Sequence, residues 1–224
     1  MCFSATASFA VAAALVPAGV YCVITTSYVG VRWMPLAIYP FAFSVQQAVE
    51  GVLWLGIDSG DQAIVDATSR GFLFFSHFFW LAWLPFSMYW LEDEQWRRRL
   101  FLGLSAVGGI FGLSTFLPLL LMTDWLSVGL VERSIEYKTV LIYDGVVNRL
   151  TARSIYGLLV VSALFLSPNL WIRLFGGLIT ASFLGTSVFF PQTLVSVWCY
   201  FAAVISASIV VVLAIEHQRQ RSSA

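Results

Sequence analysis

Charge is scarce in this sequence. Asp, Glu, Lys and Arg make up only 11% of its 224 residues, against about 25% in a soluble domain. The formal net charge is zero, so no bulk basic surface points to nucleic acid as a partner. Lys138 is the lone lysine and lies between apolar runs, which excludes a Schiff-base lysine within a span. Histidine is limited to His77 and His217, too few and too far apart for a bis-histidine haem. Cys2, Cys22 and Cys199 show no CxxC spacing. Each sits in or beside an apolar stretch, where a reduced thiol packs as a small hydrophobe. Walker A, HExxH and GxSxG sequences are absent.

What is present is apolar. Hydrophobic residues reach 59%, and mean hydropathy is +0.85. Such a surface belongs in lipid. A span needs about 20 apolar residues. Seven runs fit, at about 3–26, 35–57, 69–91, 100–122, 154–167, 172–190 and 193–215. The expected fold is an all-α integral membrane protein, a seven-transmembrane-helix bundle forming one membrane domain over 1–224. The first run has a small-residue stretch at Ala5–Ala7 but no cationic segment before it. It reads as a retained helix rather than a cleaved signal.

Lysine and arginine set the orientation. Arg32, Arg97, Arg98, Arg99, Arg173, Arg219 and Arg221 fall on one side of a seven-span chain. Arg70, Arg133, Lys138, Arg149 and Arg153 fall on the other, where the short loop after span two is acidic. The expectation is N-terminus outside and C-terminus inside, in the cytoplasmic (inner) membrane, multi-pass. Trp33, Trp90, Trp96 and Trp171 mark inner ends, and Trp54, Trp125 and Trp198 mark outer ends, where indoles favour headgroups. Trp80 and Trp83 lie within span three and read as packing residues.

Small residues four apart permit close helix contact in lipid. Gly108 and Gly112 form one such pair. Gly177, Ala181 and Gly185 form a stripe, as do Cys199, Ala203 and Ala207. These faces allow an oligomer. In the outer loop, 123–152, Ile135, Tyr137, Thr139 and Leu141 alternate with residues of the other face. Asp144-Gly145 separates two β-prone runs, Thr139–Tyr143 and Val146–Leu150. This pattern predicts a small β-hairpin turning at Asp144-Gly145.

Glu50 is the one acidic side chain inside a span. A charged carboxyl at that depth costs about 2.5–3.5 kcal/mol on insertion scales. It must be neutralised, paired or solvated by a cavity. Gln46 and Gln47 precede it by four and three residues, on the same helical face. His77 lies in the next span at matching depth. Gln46, Gln47, Glu50 and His77 therefore form a candidate ligand-binding group facing an outer-side cavity. The same residues can instead lock the helices by hydrogen bonds. With Cys2, Glu50 and His77 offer S, O and N donors that suit a transition metal, although no spacing supports such a site. His217 and the run Glu92-Asp93-Glu94 read as solvated.

The opening Met1-Cys2-Phe3-Ser4-Ala5-Thr6-Ala7-Ser8-Phe9 and the segment Gln46-Gln47-x-x-Glu50-Gly51-x-x-Trp54 resemble an uncharacterised family of bacterial multi-pass membrane proteins. That resemblance implies a membrane protein and no particular reaction. A weaker likeness, in helix number alone, is to the alkaline ceramidase and progestin-receptor-like superfamily. Its three-histidine zinc site has no counterpart in a chain with one intramembrane histidine. The leading functional expectation is an outer-side intramembrane polar site that binds a small ligand, ion or lipid group for transport or sensing. One alternative is a membrane-embedded metal-dependent lipid hydrolase. Another is a structural or partner-binding membrane subunit.

Overall fold

A computed structural model describes residues 4–222. Among the described residues each apolar run is mostly helical, with ends within a few residues of those expected. Helix α1 spans Ala5–Val29 and is capped by Ser4, whose hydroxyl accepts from the Ala7 N–H. Two short turns, Val31–Trp33 and Met34–Ala37, lead into α2, Tyr39–Ser59. Gly60, at φ +70°, ends α2 in the left-handed conformation that glycine favours. Asp61 then caps α3, Gln62–Leu91, by accepting from Ala63 and Ile64 N–H groups. Helix α4 covers Gln95–Leu121. Strands β1, Leu126–Val131, and β2, Ser134–Thr139, follow as an antiparallel pair. Helices α5, Arg149–Phe165, and α6, Leu170–Phe189, are capped by Asn148 and Asn169. Helix α7 covers Leu194–Ser222, with a tightened turn at Ala207–Ser208.

Five of these helices, α1, α3, α4, α6 and α7, are long and apolar enough to cross a membrane. The other two expected spans, α2 and α5, do not meet that measure, and the run behind α5, 154–167, is the shortest of the seven. Gln46, Gln47 and Glu50 lower the hydropathy of α2. Helix α5 has only 17 residues, or about 26 Å at 1.5 Å per residue, short of a hydrocarbon core of about 30 Å.

Helices α1 to α4 pack as sequential neighbours, and α7 closes the bundle against α1, α2 and α6. The α3–α4 contact has a specific cause. Pro85 lacks the N–H that would bond the Leu81 carbonyl. That carbonyl lies against Gly108, where a Cβ would collide with it. A Cβ on Gly112 would lie 2.8 Å from the His77 carbonyl oxygen. The Gly108/Gly112 pair therefore makes the backbone approach expected of it. The Gly177/Gly185 stripe does not: nothing lies within 4 Å of a Cβ at either position. Gly176 instead packs on Leu164.

The hairpin forms, but elsewhere than expected. It turns at Glu132-Arg133, whose φ values of 48° and 64° are both positive. That is the sign pattern of a two-residue I′ turn, reached here without Asn or Gly. Asp144-Gly145 makes a local turn, with Gly145 at φ +92° and Asp144 accepting from the Leu141 N–H. Its flanks are held away from pairing. Tyr143 stacks on Phe111 of α4 and hydrogen-bonds Ser114, while Arg149 binds Asp144 at 3.1 Å. The alternation of Ile135, Tyr137 and Thr139 is real, and all three are buried. Strand β2 lays that face against α7.

Two further expectations change. His217 is half-buried rather than freely solvated. Helix α7 runs past Ile215 to Ser222, and His217 stacks on Tyr28 of α1 with ring centroids 5.0 Å apart. Glu92 is buried rather than exposed, and lies 3.0 Å from Arg97. Trp33, Trp54 and Trp198 are all buried within the chain.

Candidate functional site

Glu50 stands on the buried face of α2, 2% exposed, with Gln46 and Gln47 at 0%. One turn separates Gln47 from Glu50, and its amide donates to Glu50 Oε2 at 3.3 Å. Ser196, in the first turn of α7, donates to Glu50 Oε1 at 2.6 Å. Gln46 Oε1 accepts from the Trp80 indole at 2.8 Å. This last bond ties α2 to α3, and Trp80 also stacks on Phe43 at 3.9 Å. Gln46 Nε2 and Gln47 Oε1 are buried without partners. No cation among the described residues lies within ion-pair distance of Glu50.

His77 is held differently. Residues Phe74–Phe79 form a π-helical turn inside α3. Such turns are uncommon and often occur at functional sites. The turn shifts the carbonyls of the helix, and other elements meet them. Tyr156 of α5 donates to the Ser76 carbonyl. Thr115 of α4 approaches the His77 carbonyl at 3.5 Å. The imidazole Nδ1 lies 3.0 Å from Ser76 Oγ. His77 and Glu50 share the hairpin end of the bundle but make no direct hydrogen bond.

Beside His77 lies a cavity of about 120 Å³. That is roughly ten times the ~10–15 Å³ that admits one water. His77 and Thr115 form one wall, Tyr137 of β2 another, and Arg149 and Arg153 of α5 a third. Trp198 and Cys199 of α7 line it as well, and both also border a smaller apolar void of about 30 Å³ beside Tyr39 and Trp80. Glu50, Gln46 and Gln47 do not line the cavity. They lie behind it. Burial, with Glu50 and Cys199 nearby, pushes the Tyr137 phenol well above its ordinary pKa. It is therefore a neutral hydroxyl at any physiological pH.

For the metal expectation, Cys2 lies outside the described residues. Glu50 and His77 have the separate partners given above. Among the described residues no group of three His, Cys, Asp or Glu side chains is placed to hold a metal ion.

Sequence reasoning missed Ser196, Tyr137, Trp198, Arg149 and Arg153. Ser196 and Cys199 are three apart at the start of the last apolar run. Their shared helical face was the available signal for Ser196. Tyr137 carried a signal of its own, as the central inward residue of the alternating strand.

Buried polar residues and five membrane-capable helices define a class: a multi-pass helical membrane protein. The chain belongs to a family described as a family of unknown function (DUF6629), which matches residues 1–224. No curated protein and no solved structure matches it.

Proposed function

We propose that this chain is a seven-span protein of the cytoplasmic membrane, N-terminus outside and C-terminus inside. On this reading its hairpin end faces outward and binds a small ligand, ion or lipid group for transport or sensing. Helices α2 and α5 complete the spans inside the bundle, where partners compensate for polarity and shortness. His77 is a titratable group on the cavity wall. Glu50 is the charged or proton-exchanging group behind it, with Gln46 and Gln47 as its hydrogen-bond partners.

The observation that carries this reading is the cavity itself. It adjoins a buried carboxyl with no cation to match it, and a π-turn aims an imidazole at it. A polar cluster serving only to lock helices has no need of adjacent open space.

Access tests it. Thr115→Cys is placed in a chain whose own cysteines are replaced by alanine. A charged, membrane-impermeant thiol reagent added from outside should modify it. Modification only from the cytoplasmic side would overturn the orientation. No modification from either side would remove the cavity as a ligand site.

A further inference from the structure

The cavity wall is unequal in charge. Arg149 and Arg153 are its only formally charged side chains, and no carboxylate lines it. They stand one turn apart on α5 and face a common space. Arg149 is occupied, binding the Thr139 carbonyl at 2.7 Å and Asp144 at 3.1 Å. Arg153 makes no hydrogen bond or ion pair among the described residues. Both arginines are exposed, at the mouth of a partly open cavity, and an unmatched guanidinium beside another cation in such a place attracts an oxyanion.

Two further polar groups await a partner. Tyr137 and Trp198 both line this cavity, in residues 8% and 7% exposed, and the Tyr137 hydroxyl and Trp198 indole N–H, each enclosed by its surroundings, have no hydrogen bond among the described residues. Buried donors of this kind are rarely left empty. An indole N–H can only donate, so its partner must be an acceptor. The rest of the wall is largely aromatic and aliphatic, including Phe111, Tyr156 and Phe183. The small void beyond Trp198 and Cys199 is bordered wholly by apolar surface. Polarity thus falls from the arginines inward.

We propose that this cavity takes the oxyanion head of an anionic amphiphile at Arg149 and Arg153, with acceptor oxygens toward Trp198 and Tyr137. Its apolar body lies along Tyr156 and Phe183. This inference rests on the reading that the cavity is a ligand site, and it specifies the ligand's chemistry. Either a free fatty acid or an anionic phospholipid supplies that chemistry.

The test uses the purified full chain in neutral detergent, with bound ligand counted by native mass spectrometry. The probes are oleate, its neutral ester methyl oleate, and dioleoyl phosphatidylglycerol. At least one anionic probe should bind about tenfold more tightly than methyl oleate. Arg153→Gln should weaken that probe by about fivefold to tenfold and leave methyl oleate unchanged. Because Arg153 holds nothing else in place, this variant should fold as the parent does. Trp198→Phe keeps the ring, loses the donor and should weaken the same probe by about threefold. Preference for oleate identifies a free acid, and preference for phosphatidylglycerol identifies a phospholipid; both support the proposal. Equal binding of the anionic and neutral probes overturns it, as does an Arg153→Gln variant that binds like the parent. If that happens while Thr115→Cys is still modified from outside, the ligand site stands and only its chemistry is wrong. An unmodified Thr115→Cys removes both.

Discussion

Each end of the bundle buries one glutamate, and the two are held in contrasting ways. At the end away from the hairpin, Glu92 is 5% exposed. Its Oε1 accepts from the Asp93 and Glu94 N–H groups at 3.1 and 3.0 Å. Its Oε2 lies 3.0 Å from Arg97 Nε, without the alignment of a hydrogen bond. The charge is matched by a charge. At the hairpin end, Glu50 is equally buried, but its partners are a serine and an amide. Two guanidinium groups at that end, of Arg149 and Arg153, line the cavity instead. A matched carboxylate secures a loop between two helices. An unmatched one, beside a cavity and a cationic wall, is kept available. Buried ionisable groups in membrane proteins commonly mark function, and this pair shows why the partner matters more than the burial.

Four substitutions sharpen or break that contrast, each read as thermal unfolding of purified protein in one detergent. Arg97→Ala should cost most. It strands Glu92, and since Arg97 is itself partly exposed the loss should be about 2 kcal/mol, below the range for fully buried pairs. Ser196→Ala comes next. It removes the shorter of the two Glu50 bonds and should cost about 1–2 kcal/mol. Glu50→Gln should fall within about 1 kcal/mol of the parent: its oxygen still accepts from Ser196, its new NH2 can donate to the unpartnered Gln47 Oε1 once that amide turns over, and no charge is left to bury. A large loss from Glu50→Gln together with none from Arg97→Ala would invert the comparison. Arg32→Gln removes the exposed Arg32–Asp93 pair, 2.9 Å apart, and should change stability by less than about 0.5 kcal/mol.

Legibility differed from element to element. Runs of apolar residues mark helices because lipid offers the backbone no partners, and among the described residues each run is mostly helical. Gly108 and Gly112 were legible because close approach requires the absence of a Cβ. The position of the hairpin was not. Asp144-Gly145 is the stronger local turn signal, yet Tyr143 and Asp144 are tethered to α4 and α5. Pairing fell to Leu126–Val131, across a turn that the sequence Glu132-Arg133 disfavours locally. The depth rule placed Glu50 and His77 at one end, because antiparallel neighbours joined by a short loop share levels. It had no means of placing Ser196, 146 positions along the chain from Glu50. The π-turn at Phe74–Phe79 also had no local signature, and its carbonyls are met by side chains from distant helices.

By itself the sequence determined that this chain lives in lipid, which segments become helices and which single carboxyl is submerged. Those properties follow from solvent transfer and backbone satisfaction, which act residue by residue. Tertiary structure alone decided what the carboxyl touches, where open volume remains and which arginines face it. Those depend on how separate helices pack, and no local energy specifies that.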